Sequence, residues 1–345
     1  MDIVNLKIRT ITAVASLVVA GPALAACAGT ASSSGGDSGG TVTLSLVAYS
    51  TPQAAYEKLI AAFQKTDAGK DVKFTQSYGA SGDQSRAVAA GLKADLVAFS
   101  LEPDITRLVT AGLVDKGWNG DQYKGMITDS VAVIGTRKGN PNNLKTWADL
   151  TKPGVQVLTP NPFTSGAAKW NILAGYGANS NKGADPAAGA AYLQSLFKNV
   201  PVQDSSGRAS LQTFTGGKGD AFISYENEAI FAQQNGQAVD YTVPDQTILI
   251  ENPIAILKNS AHPTQAKAFL DFLHTPDAQK IYADNGYRPV VQGVGGPTFP
   301  TPPQLFTITD LGGWSKVNKD LFDPSKSVMA SIEQSKGIST SPKPK

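Results

Sequence analysis

The chain has 345 residues, of which 41% are hydrophobic and 17% charged, so it is long enough for two globular domains with good cores. Its 30 basic and 28 acidic residues leave a net charge of +2, which gives no electrostatic basis for a nucleic-acid binder. Two histidines and one cysteine argue against a zinc site or a Cys–His nucleophile, and we expect no metal and no organic cofactor.

The first 26 residues have the features of a signal peptide. A positively charged start precedes a short apolar run, and small residues follow where cleavage would occur. The run is too short, and too interrupted by glycine and proline, for a stable membrane span. Residues 24–27, Leu-Ala-Ala-Cys, resemble the bacterial lipobox, in which the cysteine is lipidated. We therefore expect a lipid on Cys27 and a flexible tether over 27–41. A secreted protein with an unmodified cysteine is the alternative.

From Val42 the chain alternates strand-like and helix-like segments, as parallel sheets covered by helices do. The first unit is predicted to contain strand 42–49, helix 53–66, strand 71–78, helix 81–92 with Ser81 as its N-cap, strand 94–100 and helix 102–113. The second is predicted to contain strand 154–161, helices 165–178 and 184–199, strands 200–204 and 219–225, and helix 226–236.

Two apolar stretches, 130–137 and 248–258, read as extended crossings between the two units, so the sequence predicts a hinged, two-lobed α/β protein. Two helices within 266–289 are expected to return to the first lobe. The predicted lobes are 42–132 plus 253–335 for the first and 133–252 for the second, followed by a disordered tail over 336–345.

Several strand-to-helix junctions share small, hydroxylic or glycyl residues: Ser50-Thr51, 79–82, 164–167, 205–208 and Ser224-Tyr225. Ligands of open α/β sheets bind beyond the carboxyl ends of the strands, so these junctions should converge on one cleft. What they offer there is almost purely donors, and unpaired N–H groups at a helix start favour an anion. Self-capping is the alternative for any single junction.

Motifs along nearly the whole body resemble the sulfate-binding protein family, the receptors of sulfate and thiosulfate importers. They are SYGASGDQ, GLKADLVAFS, RKGNP with WADL, VLTPNPFTSGAAKWN, FKNVPVQDSSGRA, GDAFISYENEA, YRPV and LFTITDLGGW. The resemblance implies a type II periplasmic-binding-protein fold, in which each lobe is a mostly parallel sheet flanked by helices. It also implies a dianion in the interlobe cleft, with no countercharge touching it, and permease subunits of an ABC importer as partners of a monomeric receptor.

Carried over by position, the resemblance implies seven ligand-binding residues. Ser81 would give its hydroxyl, Tyr225 stands where the family often has a tryptophan, and Ser50 where it often has an aspartate. The others are Ser165, Gly166, Ala167 and Gly207. Thr51, Thr164 and Arg208 are expected to support them, with Arg208 paired to a carboxylate or to the Gly207 loop.

Ionised sulfate accepts on all its oxygens, whereas protonated phosphate would turn its own O–H towards donors. An all-donor cleft therefore favours sulfate, with thiosulfate, molybdate and phosphate as alternatives. Asp83 and Glu226 lie just beyond the junctions and are interpreted as first-turn helix-dipole compensation.

A serine hydrolase is the main alternative from another class. Ser165 and Lys169 are four residues apart, not three as a Ser-x-x-Lys nucleophile requires, and His262 and His274 lie far from the serine junctions. The glycine-rich 293–297 lacks the lysine and helix of a phosphate loop. Trp147, Trp170 and Trp314 favour core packing over a sugar platform. We expect no catalytic residues.

Overall fold

The computed structural model describes residues 40–341. The predicted signal peptide, Cys27 and most of the predicted tether lie outside this range. Among the helices that the structure describes, none is both long and apolar enough to cross a membrane.

The described strands are β1 (Val42–Tyr49), β2 (Val72–Gly79), β3 (Leu96–Ala98), β4 (Met126–Arg137), β5 (Val157–Leu158), β6 (Ala221–Tyr225), β7 (Val239–Thr242) and β8 (Leu249–Ile256). The described helices are α1 (Gln53–Phe63), α2 (Ser81–Ala89), α3 (Glu102–Thr110), α4 (Gly166–Asn179), α5 (Pro186–Lys198), α6 (Gly207–Thr215), α7 (Glu226–Gln234), α8 (Pro263–Leu273), α9 (Pro276–Asp284), α10 (Gly313–Leu321) and α11 (Val328–Ser335).

The strands form one sheet in the order β2-β1-β3-β8-β4-β6-β5, with β7 paired to β4. Strands β1, β2 and β3 are parallel at one end, and β5 and β6 are parallel at the other. Strand β4 pairs with β8 through its first half and with β6 and β7 through its second. The predicted crossings are therefore β4 and β8. Because both run antiparallel to their neighbours, the sheet is mixed rather than mostly parallel.

A core of the first lobe is built where α1, α8 and α9 cover the sheet. The Phe63 ring lies 5.1 Å from that of Phe269 and 6.2 Å from that of Phe74, centroid to centroid. Phe63 and Phe269 are almost wholly buried, and each such ring stabilises the fold by about 1.5–3 kcal/mol.

The C-terminal helices α10 and α11 pack on the second lobe. The ring of Trp314 on α10 meets that of Trp170 on α4 at 4.8 Å, and Met329 on α11 shares a core with Leu196 of α5. The predicted first-lobe range 253–335 therefore does not describe the packing of these two helices. After α9 the chain crosses to the second lobe, where Phe306 pairs with Ile248.

Two other expectations differ from the structure. Residues 200–204 form no strand: Pro201 has no N–H to donate, and a lone main-chain bond joins Asn161 to Asp204. The predicted disordered tail is placed as far as residue 341, and the hydroxyl of buried Thr340 donates to the Pro324 carbonyl at 2.7 Å. Its last four residues lie outside the described range.

Candidate functional site

Helix α4 begins with two N–H groups that have no acceptor among residues 40–341. Ser165 is the N-cap, and its hydroxyl accepts from the Ala168 N–H at 3.4 Å. The N–H groups of Gly166 and Ala167 precede any intrahelical acceptor, and within residues 40–341 no other acceptor bonds them. The Thr164 hydroxyl donates to the Ser205 carbonyl at 3.0 Å, which ties this junction to the next one.

Helix α6 begins beside α4 and beside the end of β1. Ser206 caps it through a bond from the Ala209 N–H at 3.2 Å, which leaves the Gly207 N–H without an acceptor in the described chain. A Cβ on Gly207 would lie 3.2 Å from the Ala167 Cβ and 3.5 Å from Cγ2 of Thr51, the residue after Ser50. Three of the predicted junctions therefore meet at van der Waals distance.

Ser100, which the sequence did not single out, lies where three predicted residues meet. Its hydroxyl is 2.6 Å from the hydroxyl of Tyr225, and its N–H donates to the Ser81 hydroxyl at 3.0 Å. A Cβ on Gly166 would lie 2.6 Å from the Ser100 Oγ. The Ser100 carbonyl accepts from the Trp170 indole at 2.7 Å. Ser100 follows β3 in the first lobe, so its bonds to Tyr225 and Trp170 join the lobes.

Ser81 is the first residue of α2 and not its N-cap, a position that Ala80 occupies without a side-chain bond. The Ser81 hydroxyl donates to Oδ2 of buried Asp104 at 2.6 Å, so its proton is already used. The main-chain N–H of Ser81 has no acceptor in the described chain and is available to a ligand. Oδ1 of Asp104 accepts from Arg107 at 2.8 Å. The acidic first turn of α3 was the available sequence signal for Asp104.

Tyr225 is fully buried at the end of β6, with its ring 6.4 Å from that of Tyr49. Burial raises its pKa well above 10, so the phenol keeps its proton and is able to donate. The Tyr49 hydroxyl is also buried and has no partner among the described residues.

The positive charge of Arg208, beside the site, is neutralised by Glu228. It bonds both carboxylate oxygens of buried Glu228, at 2.9 and 2.7 Å, and its Nη2 donates to the Thr51 carbonyl at 2.8 Å. Burial alone would lower the pKa of Arg208, but Glu228 raises it above its usual value. The guanidinium thus stays charged, neutralises Glu228 and bonds the loop that contains Ser50 and Thr51.

Asp83, Glu226 and His274 have local partners. Asp83 pairs with Arg86, and Glu226 pairs with Arg288 at 2.8 Å. The His274 ring lies 3.1 Å from the Met126 carbonyl and stacks on a tyrosine, which gives it no contact with a serine nucleophile. In the described part of the chain no group of three or more His, Cys, Asp or Glu is placed to hold a metal.

The family model described as bacterial extracellular solute-binding protein matches residues 44–288. The chain belongs to this family. Among relatives of this solute-binding protein, the sulfate-binding protein of Synechococcus elongatus is 43% identical over 311 residues, which are 87% of this chain and 89% of that protein. The thiosulfate-binding protein of Pseudomonas aeruginosa is 32% identical over 323 residues, 89% of this chain and 94% of that protein.

A solved structure extends the similarity to three dimensions. The sulfate-binding protein SubI from Mycobacterium tuberculosis superposes with a TM-score of 0.80 at 46% identity, over 82% of this chain and 100% of that one. The two-lobed type II fold and the resemblance to sulfate- and thiosulfate-binding proteins are thereby confirmed. The family also confirms the prediction that this is a solute-binding receptor and not an enzyme.

Proposed function

We propose that this solute-binding protein binds sulfate in the cleft between its lobes and delivers it to an ABC importer. One observation carries the proposal: the N–H groups of Gly166, Ala167 and Gly207 lack acceptors in the described chain, at two helix starts that contact each other. Both helix dipoles favour negative charge at this point. The similarity to sulfate-binding proteins over most of the chain supports the same ligand.

The proposed ligand-binding residues remain those expected from the sequence: Ser50, Ser81, Ser165, Gly166, Ala167, Gly207 and Tyr225. Ser81 takes part through its main-chain N–H, because its hydroxyl proton is held by Asp104. In the proposal Thr51, Thr164 and Arg208 hold the binding groups without touching the anion.

Sulfate is favoured over phosphate by the state of the buried carboxylates. Asp104 accepts from Ser81 and Arg107, and Glu228 accepts twice from Arg208, so neither has an oxygen without a donor. The proton of hydrogen phosphate would find no free oxygen on either of these two carboxylates, and a buried proton left without an acceptor costs about 1–3 kcal/mol. Thiosulfate is a second candidate, supported by the thiosulfate-binding relative.

We propose that the lobes separate to admit the anion and close around it. In this proposal the division is the one predicted from the sequence, at residues 132/133 and 252/253, with α10 and α11 assigned to the second lobe because they pack there. Bonds across this division include the one from the Gly82 N–H to the Thr164 carbonyl, 3.2 Å long. An anion that bonds both lobes favours the closed state by its differential affinity.

We also propose that the protein acts as a monomer anchored by a lipid on Cys27 to the outer face of the cytoplasmic membrane. Support comes from the signal-peptide pattern, the lipobox-like residues 24–27 and the polar tether that follows them. Labelling with a fatty-acid probe, lost in a Cys27→Ser variant, tests the anchor.

Calorimetric titration tests the ligand. The chain from Gly40 onward forms one compact unit, so a protein that begins there is suitable. Sulfate, thiosulfate, molybdate and phosphate are titrated separately in a zwitterionic, anion-free buffer at neutral pH. The proposal expects tight sulfate binding and no phosphate binding. Binding of phosphate without sulfate, or of none of the four by protein shown to be free of a retained anion, would refute it.

A further inference from the structure

A cavity of about 190 Å³ adjoins the proposed ligand site along the seam between the lobes. Gly82 of α2 and Thr164, Ser165 and Gly166 at the start of α4 contribute to its wall, so one side of the cavity is the outer wall of the cleft. The C-terminal region also contributes to the lining, through Phe322, Pro324 and Thr340.

Three cations line this cavity: Arg86 on α2, Arg107 on α3 and Lys169 on α4. One carboxylate, Asp104, shares the lining, and Asp83 pairs with Arg86 outside it. The cations therefore outnumber the acidic groups. The two arginine side chains retain 29% and 36% of their exposure, so solvent reaches them.

The cations also retain donors. Arg107 uses only Nη1 for its bonds to Ser85 and Asp104, and its Nε and Nη2 have no acceptor among residues 40–341. Lys169 donates to Asn318 at 2.9 Å, which leaves two of its three ammonium protons. Burial and the two nearby arginines lower the pKa of Lys169 to about 8, although Asp104 acts in the opposite direction. The Lys169 ammonium is therefore still mostly charged at neutral pH.

The proposed binding cleft has no countercharge left over to attract an anion from a distance, and the whole chain has a net charge of only +2. A local excess of positive charge beside a cleft raises the local concentration of an anion and its association rate. We propose that this cationic cavity is a transient binding site for the oxyanion, from which the anion passes into the cleft. This inference rests on the proposed function and adds the route by which the ligand is captured.

Stopped-flow tryptophan fluorescence of the chain from Gly40 measures association and dissociation rates for sulfate at several NaCl concentrations. At low ionic strength, Arg86→Gln and Lys169→Gln should each reduce the association rate by about three- to tenfold and leave the dissociation rate within about twofold. At 1 M NaCl the Debye length is about 3 Å, so the difference from the unmodified protein should nearly vanish.

Two further variants separate charge from structure. Lys145→Gln removes an equal charge from an exposed lysine elsewhere in the second lobe and should not change the association rate. Arg107→Lys keeps the charge and should retain most of the rate, whereas Arg107→Gln should not. Unchanged rates at low salt, an equal effect of Lys145→Gln, or a deficit that persists at 1 M NaCl would overturn the inference. Failure of the unmodified protein to bind sulfate at equilibrium would instead refute the proposed function.

Discussion

A methyl group on Gly166 is expected to act as a wedge between the lobes. In the structure a Cβ at this position would lie 2.6 Å from the Ser100 Oγ, 2.8 Å from the Ser100 Cβ and 2.9 Å from Cδ2 of Leu101. All three atoms belong to the first lobe, whereas Gly166 begins α4 of the second. Closure of a Gly166→Ala variant would therefore force atoms closer than real Cβ contacts allow.

The expected magnitude follows from overpacking, which costs about 1–3 kcal/mol when side chains have to shift. If the full cost falls on the closed state, the dissociation constant for sulfate rises by about 5- to 150-fold. The ligand-free protein should be affected little, because an open cleft removes the contact and alanine suits a helix better than glycine does.

Titration calorimetry gives the affinity, and thermal unfolding with and without sulfate gives the ligand-dependent rise in Tm. Gly166→Ala should lose most of that rise while keeping its ligand-free Tm. Gly207→Ala, whose nearest contact would be 3.2 Å, should be milder, and Gly295→Ala, with no atom within 4 Å of the new Cβ, should be neutral. Unchanged sulfate affinity in Gly166→Ala, or an equal drop in ligand-free Tm, would refute the reasoning.

Two other variants test buried polar groups. Tyr225→Phe removes the hydroxyl bonded to Ser100 at 2.6 Å and should raise the sulfate dissociation constant by about tenfold in calorimetry. Tyr192→Phe removes a buried hydroxyl that donates to the Trp147 carbonyl at 3.2 Å, away from the proposed site, and should not. Burial, and then the facing Glu251, raises the pKa of Asp129 to about 7. The folded state then binds this proton more readily than the unfolded chain, so stability falls as pH rises from about 4 to about 7. Urea unfolding of Asp129→Asn should therefore show a gain of about 1–2 kcal/mol at pH 8 and none near pH 4, and an equal gain at both pH values would contradict the assignment.

Local chemistry explains what the sequence predicted well. The start of α4 is encoded by Ser165 as a cap followed by Gly166, and the start of α6 by Ser206 followed by Gly207, so both junctions could be located before any tertiary contact was known. The alternation of apolar strands and amphipathic helices likewise gave the two-lobed α/β class.

Contacts between distant parts of the chain explain the rest. Ser100 bonds Tyr225, 125 residues away. It stands between the predicted strand 94–100 and helix 102–113 and so met the junction criterion, but its partner could not be inferred from the local sequence. Asp104 accepts the hydrogen bond of the Ser81 hydroxyl, so the proposal replaces the predicted hydroxyl donor with the Ser81 N–H. The position of α10 depends on the contact of Trp314 with Trp170, which no local pattern encodes.

The lobes are joined by β4, by β8 and by the segment between α9 and Phe306. Strands β4 and β8 are paired side by side, so twisting one lobe relative to the other would break hydrogen bonds between them. Bending both strands together, about an axis perpendicular to them, changes only a few main-chain dihedral angles. In the proposed closure, the low-energy motion is then a rotation of one lobe about a single axis. A membrane transporter that contacts both lobes would then distinguish the ligand-bound receptor from the ligand-free one by that angle alone.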